Sequence, residues 1–397
     1  SVTESFFDIG GNSLSAMRLA ARAADALGVE VSVRDVFSAP SVRELIAATS
    51  GHGTALAPIT ATVPRPQRIP LSFAQQRMWF INQFNPGSAA YNMPAVLRFG
   101  AAREVDTRLD LEALRLAVID VLSRQEVLRT TFPAEAGVPW QHIGDVNEFD
   151  ARHIWSVVDS EADLVAAATT GFDLTADWPV RVRVLPEGDS VLFALVLHHI
   201  AADGESFAPL LTDMIAAYMA RSAGRIPDFA PLEVQFADYA IWQHTQLGSP
   251  DDPDSVVGRQ LSYWREQLRG IPDVLALPTD RPRPPVASQH GGNVGFSLPE
   301  ELTERIGRTA RAHGVTPFMV VHGALAVLLA RLSGSDDITI GTPVAGRGQS
   351  VLDRLVGMFV NTLVLRTRVD FGATFDDILA DVKATDLAAF TNDAVHF

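Results

Sequence analysis

The residues best suited to acid–base chemistry lie together in LFALVLHHIAADGES, from Leu192 to Ser206. The first half is apolar and includes Val and Phe, a pattern that predicts a buried β-strand. His198 and His199 then stand at the C-terminal end of that strand. Because successive strand side chains point to opposite faces, only one of the two imidazoles can face a given cavity. A histidine at a strand end that opens into a cleft is suited to general-base work, since its unperturbed pKa lies near neutrality.

Other chemistries in this stretch lack their partners. A metal site is not predicted, because adjacent histidines point apart, Asp203 is the only nearby acid, and no third ligand follows at a familiar spacing. A serine hydrolase is not predicted either, since no G-x-S-x-G sequence occurs. The simplest alternative is two polar residues that end a strand and take no part in chemistry.

A second candidate is Ser13, which follows Gly10, Gly11 and Asn12 at the start of an amphipathic helix pattern. A helix N-cap, formed by Asn12 or Ser13, would explain these residues without any further role. The preceding aromatic pair, acid and two glycines favour a second interpretation, in which glycine lets another protein surface approach the serine closely.

Composition limits the classes of function. The formal net charge is -15, which argues against a nucleic-acid partner, because phosphate binding needs a basic surface. The absence of cysteine excludes disulfides, thiolate nucleophiles and cysteine-based metal sites. Lys383 is the only lysine, so a lysine base or Schiff base is excluded from the first 382 residues. No apolar run reaches the length of a membrane span and no leader pattern opens the chain, so we expect a soluble, cytoplasmic protein.

The elements that position these residues fall into three regions. Residues 1–50 are helical, with Ser41 and Glu44 spaced as a capping box. Residues 51–67 are rich in Gly, Pro and Thr and have no period, which indicates a linker. From residue 68 onward helices and strands alternate, and a second Pro-rich stretch at 277–292 marks the approach to a second lobe.

The N-terminal motif FFDIGGNSL resembles the signature of peptidyl carrier domains of nonribosomal peptide synthetases. In that family the serine matching Ser13 carries 4'-phosphopantetheine, and an acid precedes it as Asp8 does here. The family's first helix has no counterpart upstream, so we expect an N-terminally truncated carrier. The resemblance implies a thioester on a long arm, which raises the effective concentration of a tethered substrate.

HHIAADG resembles the HHxxxDG signature of condensation domains. In this family two lobes of chloramphenicol-acetyltransferase type form a V, with the active site in a tunnel between them. Two positions depart from the family pattern: Gln125 stands where a histidine is usual, and Glu205 where an aromatic residue is common. Further motifs match in the family's order, namely LSFAQQRMW (71–79), SRQEVLRTTF (123–132), FADYAIW (236–242), IGTPVAGR (340–347) and GMFVNTLVLR (357–366).

The resemblance implies an α+β fold in which a small helical carrier precedes two α/β lobes. The expected boundaries are 1–50 for the carrier, 51–67 for the linker, 68–275 for the N-terminal lobe and 276–397 for the C-terminal lobe. NDAVHF only partly resembles the family's last motif, so we expect the C-terminal lobe to continue beyond residue 397.

The implied reaction is peptide-bond formation between a donor thioester on the Ser13 arm and an aminoacyl thioester on a downstream carrier. The implied partners are that downstream carrier domain, the neighbouring adenylation domains and a phosphopantetheinyl transferase. FNPGSAAYNMP (84–94) resembles the subtype that accepts an L-configured or achiral donor end, the LCL subtype.

Roles follow by match to the motif. His199 is the expected functional histidine, either as a general base or as a hydrogen-bond acceptor that positions the amine, and His198 is expected to be structural. Asp203 is expected to pair with an arginine, since a buried carboxylate without a partner is costly. Arg129 and Arg347 are both candidates for that pairing.

Two supporting positions complete the predicted site. Gly204 either keeps the tunnel floor open for the arm or forms an ordinary strand-to-helix turn. Asn361, a polar residue in an apolar strand, needs a partner if it is buried, and it is a candidate supporting residue.

Three alternatives remain. An epimerization domain shares HHxxxDG, although GMFVNTLVLR and SFAPLLTDM are more similar to the condensing branch. A non-catalytic domain that recruits a partner is compatible with the departures at Gln125 and Glu205, whereas the intact HHIAADG favours an enzyme. Free acyl transfer from coenzyme A would not need the fused carrier.

Overall fold

The computed structural model describes residues 1–100, 109–188, 190–286 and 291–396. Helices and strands alternate along most of this part of the chain, as the sequence pattern predicts. The helices are α1 (Ser13–Leu27), α2 (Val33–Ser38), α3 (Val42–Thr49), α4 (Phe73–Phe84), α5 (Leu111–Arg124), α6 (Glu161–Thr169), α7 (Phe207–Ser222), α8 (Phe236–Gln246), α9 (Val256–Gln267), α10 (Glu300–Ala312), α11 (Pro317–Ser333) and α12 (Phe375–Thr391). The strands are β1 (Asn92–Gly100), β2 (Thr130–Thr131), β3 (Ala134–Glu135), β4 (Val138–Pro139), β5 (His142–Ile143), β6 (Trp155–Val157), β7 (Val180–Glu187), β8 (Ser190–His198), β9 (Asp337–Val344) and β10 (Asn361–Arg368).

The chain folds into two compact units. The first comprises Ser1–Pro58, Gly248–Gln349 and Asn361–Phe397, and the second comprises Ile59–Leu247 and Ser350–Val360. The first unit therefore holds the segment expected to be the carrier together with the segment expected to be the C-terminal lobe. The short segment Ser350–Val360 packs in the second unit, which the sequence pattern did not indicate.

The second unit is built on a four-stranded sheet in the order β1-β8-β7-β6. β8 pairs antiparallel with both β1 and β7, so it lies inside the sheet. All its residues from Leu192 to His198 are buried, which explains the nearly continuous apolar sequence of this strand. Asn92, the first residue of β1, is the register partner of His198.

Helices α5 and α7 pack against one another in the second unit. Leu114, Val118 and Val121 form the buried face of α5 and join the main apolar core. Each such side chain contributes roughly 1.5 to 3 kcal/mol through its burial. The packing holds the C-terminal end of α5, which carries Arg124, beside α7, which begins shortly after the two histidines.

In the first unit, β9 and β10 form an antiparallel pair. Helix α12 packs on β10 and on α11, so these three elements surround a shared interior. The N-terminal helices α1 to α3 belong to the same unit. The predicted capping box at the start of α3 is present: Ser41 Oγ accepts the amide N–H of Glu44 at 3.3 Å, and Glu44 Oε2 accepts that of Ser41 at 3.2 Å.

The Pro-rich stretch 51–67 is anchored within each unit. In the first unit Thr54 forms an isolated β-bridge with Val29. In the second unit the guanidinium of Arg65 donates two hydrogen bonds to the carboxylate of Asp238, at 3.0 and 2.9 Å. Asp238 is 1% exposed, so this ion pair is largely desolvated and fixes the second half of the stretch.

Among the described residues no single helix has both the length and the apolarity to cross a membrane, and α10 with α11 passes that test only as a pair bent by 102°.

Candidate active site and carrier attachment segment

His198 is the last residue of β8 and is 1% exposed. Its Nδ1 accepts the amide N–H of Ile200 at 3.0 Å, and its ring meets the ring of Phe172 edge to face at 5.9 Å. Burial, and to a smaller extent the neighbouring His199, lower the pKa of His198 to about 4. The imidazole is therefore neutral near pH 7 and closes the turn that follows the strand. These contacts support the structural role that was expected for it.

His199 is partly exposed, in contrast to its neighbour. Its amide N–H donates to the carbonyl of Tyr91 at 2.9 Å. Tyr91 directly precedes β1, so this hydrogen bond fixes the backbone of His199 against the start of that strand. Its ring nitrogen Nδ1 is buried and has no hydrogen-bond partner. A buried polar atom left unpaired costs roughly 1 to 3 kcal/mol. Because residue 199 as a whole is partly exposed, it is the one of the two histidines that a ligand can contact.

The loop after His199 is held by buried polar side chains. Gln75 Nε2 donates to the carbonyl of Ile200 at 3.3 Å, and Gln75 is fully buried. Asp203 caps a short 3₁₀ helix, because its Oδ1 accepts the amide N–H of Ser206 at 2.9 Å. Its Oδ2 accepts the amide N–H of Phe359 at 3.0 Å. Asp203 therefore bonds to backbone groups that the sequence did not predict.

Gly204 begins this 3₁₀ helix, and a Cβ placed on it would meet no atom within 4 Å. Its φ lies outside the left-handed region, so backbone conformation alone does not require glycine here. The space in front of Gly204 is open, which agrees with an arm or substrate passing it. The choice between that role and an ordinary turn stays a prediction.

The two arginine candidates differ in position. Arg129 Nε donates to the carbonyl of Leu122 at 3.1 Å, and its Nη1 donates to the carbonyl of Gly144. Both hydrogen bonds go to backbone carbonyls, and its pairing with Asp203 stays a prediction. Arg347 lies in the first unit and is 7% exposed. Its pairing with Asp203 stays a prediction.

Asn361 opens β10 and is 2% exposed. Its Nδ2 donates to the carbonyls of Asp393 and Val395, both at 2.7 Å, and its Oδ1 accepts the amide N–H of Thr362 at 2.7 Å. The side chain thus has the partners that burial requires. All of them are backbone groups of the first unit, so the contacts support a structural role in fixing residues 393–395.

In the attachment segment, Asn12 is the N-cap of α1, with its Oδ1 accepting the amide N–H of Ser15 at 2.9 Å. Ser13 is the first helical residue and is not needed as the cap. Gly11 has an internal reason to be glycine, because a Cβ there would lie 2.4 Å from the ring of Phe6. Gly10 has φ +101° and open space around it. Access for another protein therefore concerns Gly10 rather than Gly11.

Sequence reasoning missed two buried polar residues, Gln75 and Ser206. It noticed Gln125 but not its structural role. Gln125 is 1% exposed and Ser206 is fully buried. The available signal was a polar side chain inside an otherwise apolar pattern, since a buried polar group needs a partner. Among the described residues no cluster of three or more His, Asp or Glu side chains is arranged to hold a metal ion.

Comparison with known proteins identifies both parts of the chain. The condensation domain family matches residues 66–397, and the phosphopantetheine attachment site family matches residues 1–49. The second match confirms the predicted phosphopantetheine cofactor. Ser13 as the residue that carries it stays a prediction.

Relatives and solved structures agree with these matches. CymA of Salinispora arenicola, a probable nonribosomal peptide synthetase, is 43% identical over all of this chain, which spans 5% of its length. The X-domain in its complex with OxyB from teicoplanin biosynthesis is 32% identical with a TM-score of 0.77, over 87% of this chain and 74% of that chain. The first condensation domain of the CDA synthetase is 23% identical with a TM-score of 0.62, over 83% of this chain and 77% of that chain.

The predicted fold class is confirmed by these similarities: a small helical carrier precedes a mixed α/β domain of the chloramphenicol-acetyltransferase type. His199, at the end of β8, lies inside the region that the condensation family matches. The chain therefore belongs to the condensation domain family of nonribosomal peptide synthetases and carries a phosphopantetheine attachment domain ahead of that domain.

Proposed function

We propose that this chain forms a peptide bond between a donor acyl or peptidyl group carried on Ser13 and an aminoacyl group carried by a downstream carrier domain. FNPGSAAYNMP supports the narrower assignment to condensation with an L-configured or achiral donor end. The proposal also requires a phosphopantetheinyl transferase to modify Ser13 and adenylation domains to load the carriers.

The observation that carries the proposal is the placement of His199 directly after a buried central strand, with His199 partly exposed while His198 is buried. The backbone of His199 is fixed by β8, which ends at the preceding residue, and by the hydrogen bond from its amide N–H to the carbonyl of Tyr91. His198 and Gln75 hold the residues that follow. A group held in this way can accept a proton or a hydrogen bond from an amine without reorganising.

The chemistry is acyl transfer from sulfur to nitrogen. The amine nitrogen attacks the carbonyl carbon of the donor thioester, the C–N bond forms, and the C–S bond breaks. The nitrogen loses a proton, and the leaving sulfur takes one. When attached, the phosphopantetheine arm supplies the thioester and the tether. The imidazole of His199 accepts the N–H of the amine, either to orient it or to take its proton.

Magnitudes favour orientation as the larger contribution. Effective molarities of well-oriented intramolecular reactions reach about 10⁵ to 10⁸ M. A single acid–base group contributes about 10² to 10⁴-fold. Since an amine attacking an activated thioester needs little proton transfer, holding the amine in place accounts for most of the expected acceleration.

The direct test is reconstitution. Ser13 is loaded enzymatically with a candidate acyl-pantetheine, an aminoacyl-loaded downstream carrier is added, and intact-protein mass spectrometry detects acyl transfer to that carrier. Product that depends on both loaded carriers supports the proposal. Epimerization of the donor residue without bond formation would support the rival epimerization domain. No transfer across a panel of donors and acceptors would contradict the proposed function.

A second candidate function is recruitment of a partner protein without catalysis. It is favoured by the similarity to the X-domain, a domain described in complex with OxyB, with 32% identity and a TM-score of 0.77. The intact HHIAADG and the partial exposure of His199 favour catalysis. Recruitment would be supported by two results together. The His199→Ala variant would bind a partner enzyme as tightly as the wild type does, and neither protein would form an amide.

A further inference from the structure

The segment Ser350–Val360, here called the crossing segment, lies between two strands of the first unit in sequence but packs in the second unit. Its apolar side chains join the core of that unit. Gly357 cannot carry a side chain, because a Cβ there would lie 2.1 Å from the ring of Phe236. The backbone of this segment is therefore closely packed, and its buried amide groups need polar partners.

Gln125, at the end of α5, makes two hydrogen bonds to the crossing segment and one to α7. Its Oε1 accepts the amide N–H of Val356 at 3.0 Å, and its Nε2 donates to the carbonyl of Arg354 at 3.1 Å. The same Nε2 donates to Oδ2 of Asp213 on α7 at 3.2 Å. A primary amide has two N–H donors and one carbonyl acceptor, so every one of its polar groups is engaged.

Ser206 and Asp203 hold the next residues of the crossing segment. The amide N–H of Gly357 donates to Ser206 Oγ at 3.1 Å, and that of Phe359 donates to Asp203 Oδ2 at 3.0 Å. Ser206 Oγ also lies 2.8 Å from Asp203 Oδ1. Three amide groups of the crossing segment thus end on side chains at the C-terminal end of α5 and the N-terminal end of α7.

These contacts connect Gln125 to the loop that carries His199. Asp203 is four residues beyond His199, and Asp213 is on the helix that this loop leads into. We propose that Gln125 is a positioning residue for condensation: it fixes the crossing segment against the start of α7, and thereby fixes the loop 199–203 and the orientation of the His199 ring. The inference rests on the proposed function and adds a residue to it.

The identity of residue 125 has a chemical consequence. A neutral imidazole offers one donor and one acceptor, whereas an imidazolium offers two donors and no acceptor. Only the amide of glutamine satisfies the N–H of Val356, the carbonyl of Arg354 and the carboxylate of Asp213 together. Because an amide does not titrate, Gln125 itself offers the same donors and acceptor at every pH at which the protein is folded.

The test compares two substitutions at Gln125 with a matched control. Gln125→Met keeps the length of the side chain and removes all three hydrogen bonds. Gln141 is also buried, at 2% exposure, and donates to the carbonyl of Pro70 at 2.7 Å, so Gln141→Met removes a buried amide away from the crossing segment. Condensation is measured with saturating loaded carriers, at a temperature where circular dichroism shows each variant folded.

We expect Gln125→Met to lower kcat by about tenfold to a hundredfold with KM for the acceptor carrier unchanged, as for a misplaced catalytic group. Gln141→Met should leave kcat within about twofold, whatever its effect on stability, since it does not act on the loop that holds His199. Amide hydrogen exchange at Val356, Gly357 and Phe359 should speed up in the first variant alone. Equal kcat values in the two variants would overturn the proposal.

Gln125→His adds a readout that a purely structural role would not move. The charged groups facing this position are Asp213 of α7 and Arg124 of α5. A neutral imidazole can accept from Val356 and donate to Asp213, but an imidazolium cannot accept. The rate should therefore fall as the pH drops through the pKa of the new histidine, whereas a pH profile identical to that of the wild type would count against the proposal.

Failure of this inference differs from failure of the proposed function. If the wild type makes product and Gln125→Met makes it at the same rate, only the positioning role of Gln125 is contradicted. If the wild type makes no product with any pair of loaded donor and acceptor carriers, both the proposed reaction and the role of Gln125 in it are contradicted.

Discussion

Two histidine clusters, one in each compact unit, show what distinguishes a functional imidazole from a structural one. In the first unit, His322 Nδ1 lies 2.9 Å from Asp386 Oδ1, and His322 Nε2 lies 3.2 Å from Thr367 Oγ1. In the second unit, His199 has a buried Nδ1 without a hydrogen-bond partner. The first cluster has the acid–imidazole–hydroxyl order of a hydrolase triad, and the second has none of it.

Burial separates the two clusters. Thr367, His322 and Asp386 are 1%, 4% and 0% exposed, so no substrate reaches the hydroxyl. Their contacts join β10, α11 and α12 and stabilise the interior of the first unit. His199, in contrast, is partly exposed. The spacing of polar groups alone therefore does not indicate catalysis, because a reacting group must also be exposed to its substrate.

The largest effect is expected for His199→Ala. Loss of the imidazole should lower the condensation rate by about 10² to 10⁴-fold, the range for a single acid–base or positioning group. The melting temperature should change little, because removing a buried atom without a partner breaks no hydrogen bond. Reconstituted condensation, followed by mass spectrometry, measures the rate. His142→Ala on β5 is the matched control, and a rate equal to that control would remove His199 from the mechanism.

His322→Ala should have the opposite profile. It leaves the carboxylate of Asp386 buried without its imidazole, which costs about 3 to 5 kcal/mol in the free energy of unfolding of the first unit. Burial raises the pKa of Asp386 and His322 lowers it, so in the variant the carboxyl group is protonated more readily. The destabilisation should then be smaller at pH 5 than at pH 8, as measured by urea unfolding.

An exposed pair in the same unit provides the control for His322. His313 Nε2 lies 3.4 Å from Asp376 Oδ1, with side chains that are 31% and 72% exposed. His313→Ala should change the free energy of unfolding by less than about 1 kcal/mol, because solvent screens such pairs. Similar losses for the two variants would show that burial does not separate the pairs.

His198 should make stability depend on pH. Burial holds its folded pKa at about 4, below the ordinary 6.5, so between these values the unfolded chain binds a proton that the folded chain excludes. The contribution of His198 to the free energy of unfolding is therefore complete above pH 6.5. It decreases by about 3 kcal/mol as the pH falls toward 4. Urea unfolding between pH 4 and pH 7.5 measures it. His198→Asn retains an acceptor for Ile200 and should abolish this component, and an unchanged pH slope in the variant would contradict the assignment.

The sequence was informative where one local pattern determines structure. The apolar run before His198 predicted β8, and Ser41 with Glu44 predicted the cap of α3, because strand burial and capping depend on a few neighbouring residues. The resemblance predicted the family and the fold class, although composition and spacing alone would have given only a mixed α/β protein with two or more lobes.

Long-range polar contacts were not predictable in the same way. The expected pairing of Asp203 with an arginine stays a prediction, but the sequence did not predict its contacts with the backbone amides of Ser206 and Phe359, the second of them 156 residues away in sequence. Asn361 and Gln125 were noticed as unusual residues, but their partners lie on segments that only the tertiary fold brings near. The charge and polarity of these side chains indicated that each needs a hydrogen-bond partner if it is buried. Only the tertiary fold determined which groups those partners are.

Within the His322 cluster the smallest effect is expected at the hydroxyl end. Thr367→Val removes the hydroxyl 3.2 Å from His322 Nε2 while keeping the shape of the side chain, and a hydrogen bond of this kind contributes about 1 kcal/mol. Thr362→Val, on the same strand, is the control, because no described residue hydrogen-bonds to the Thr362 hydroxyl. Urea unfolding should show a loss of about 1 kcal/mol for Thr367→Val and none for Thr362→Val. Condensation by the folded fraction should be the same in both variants. A rate reduced by Thr367→Val alone would give this buried cluster a part in the reaction and end its contrast with His199.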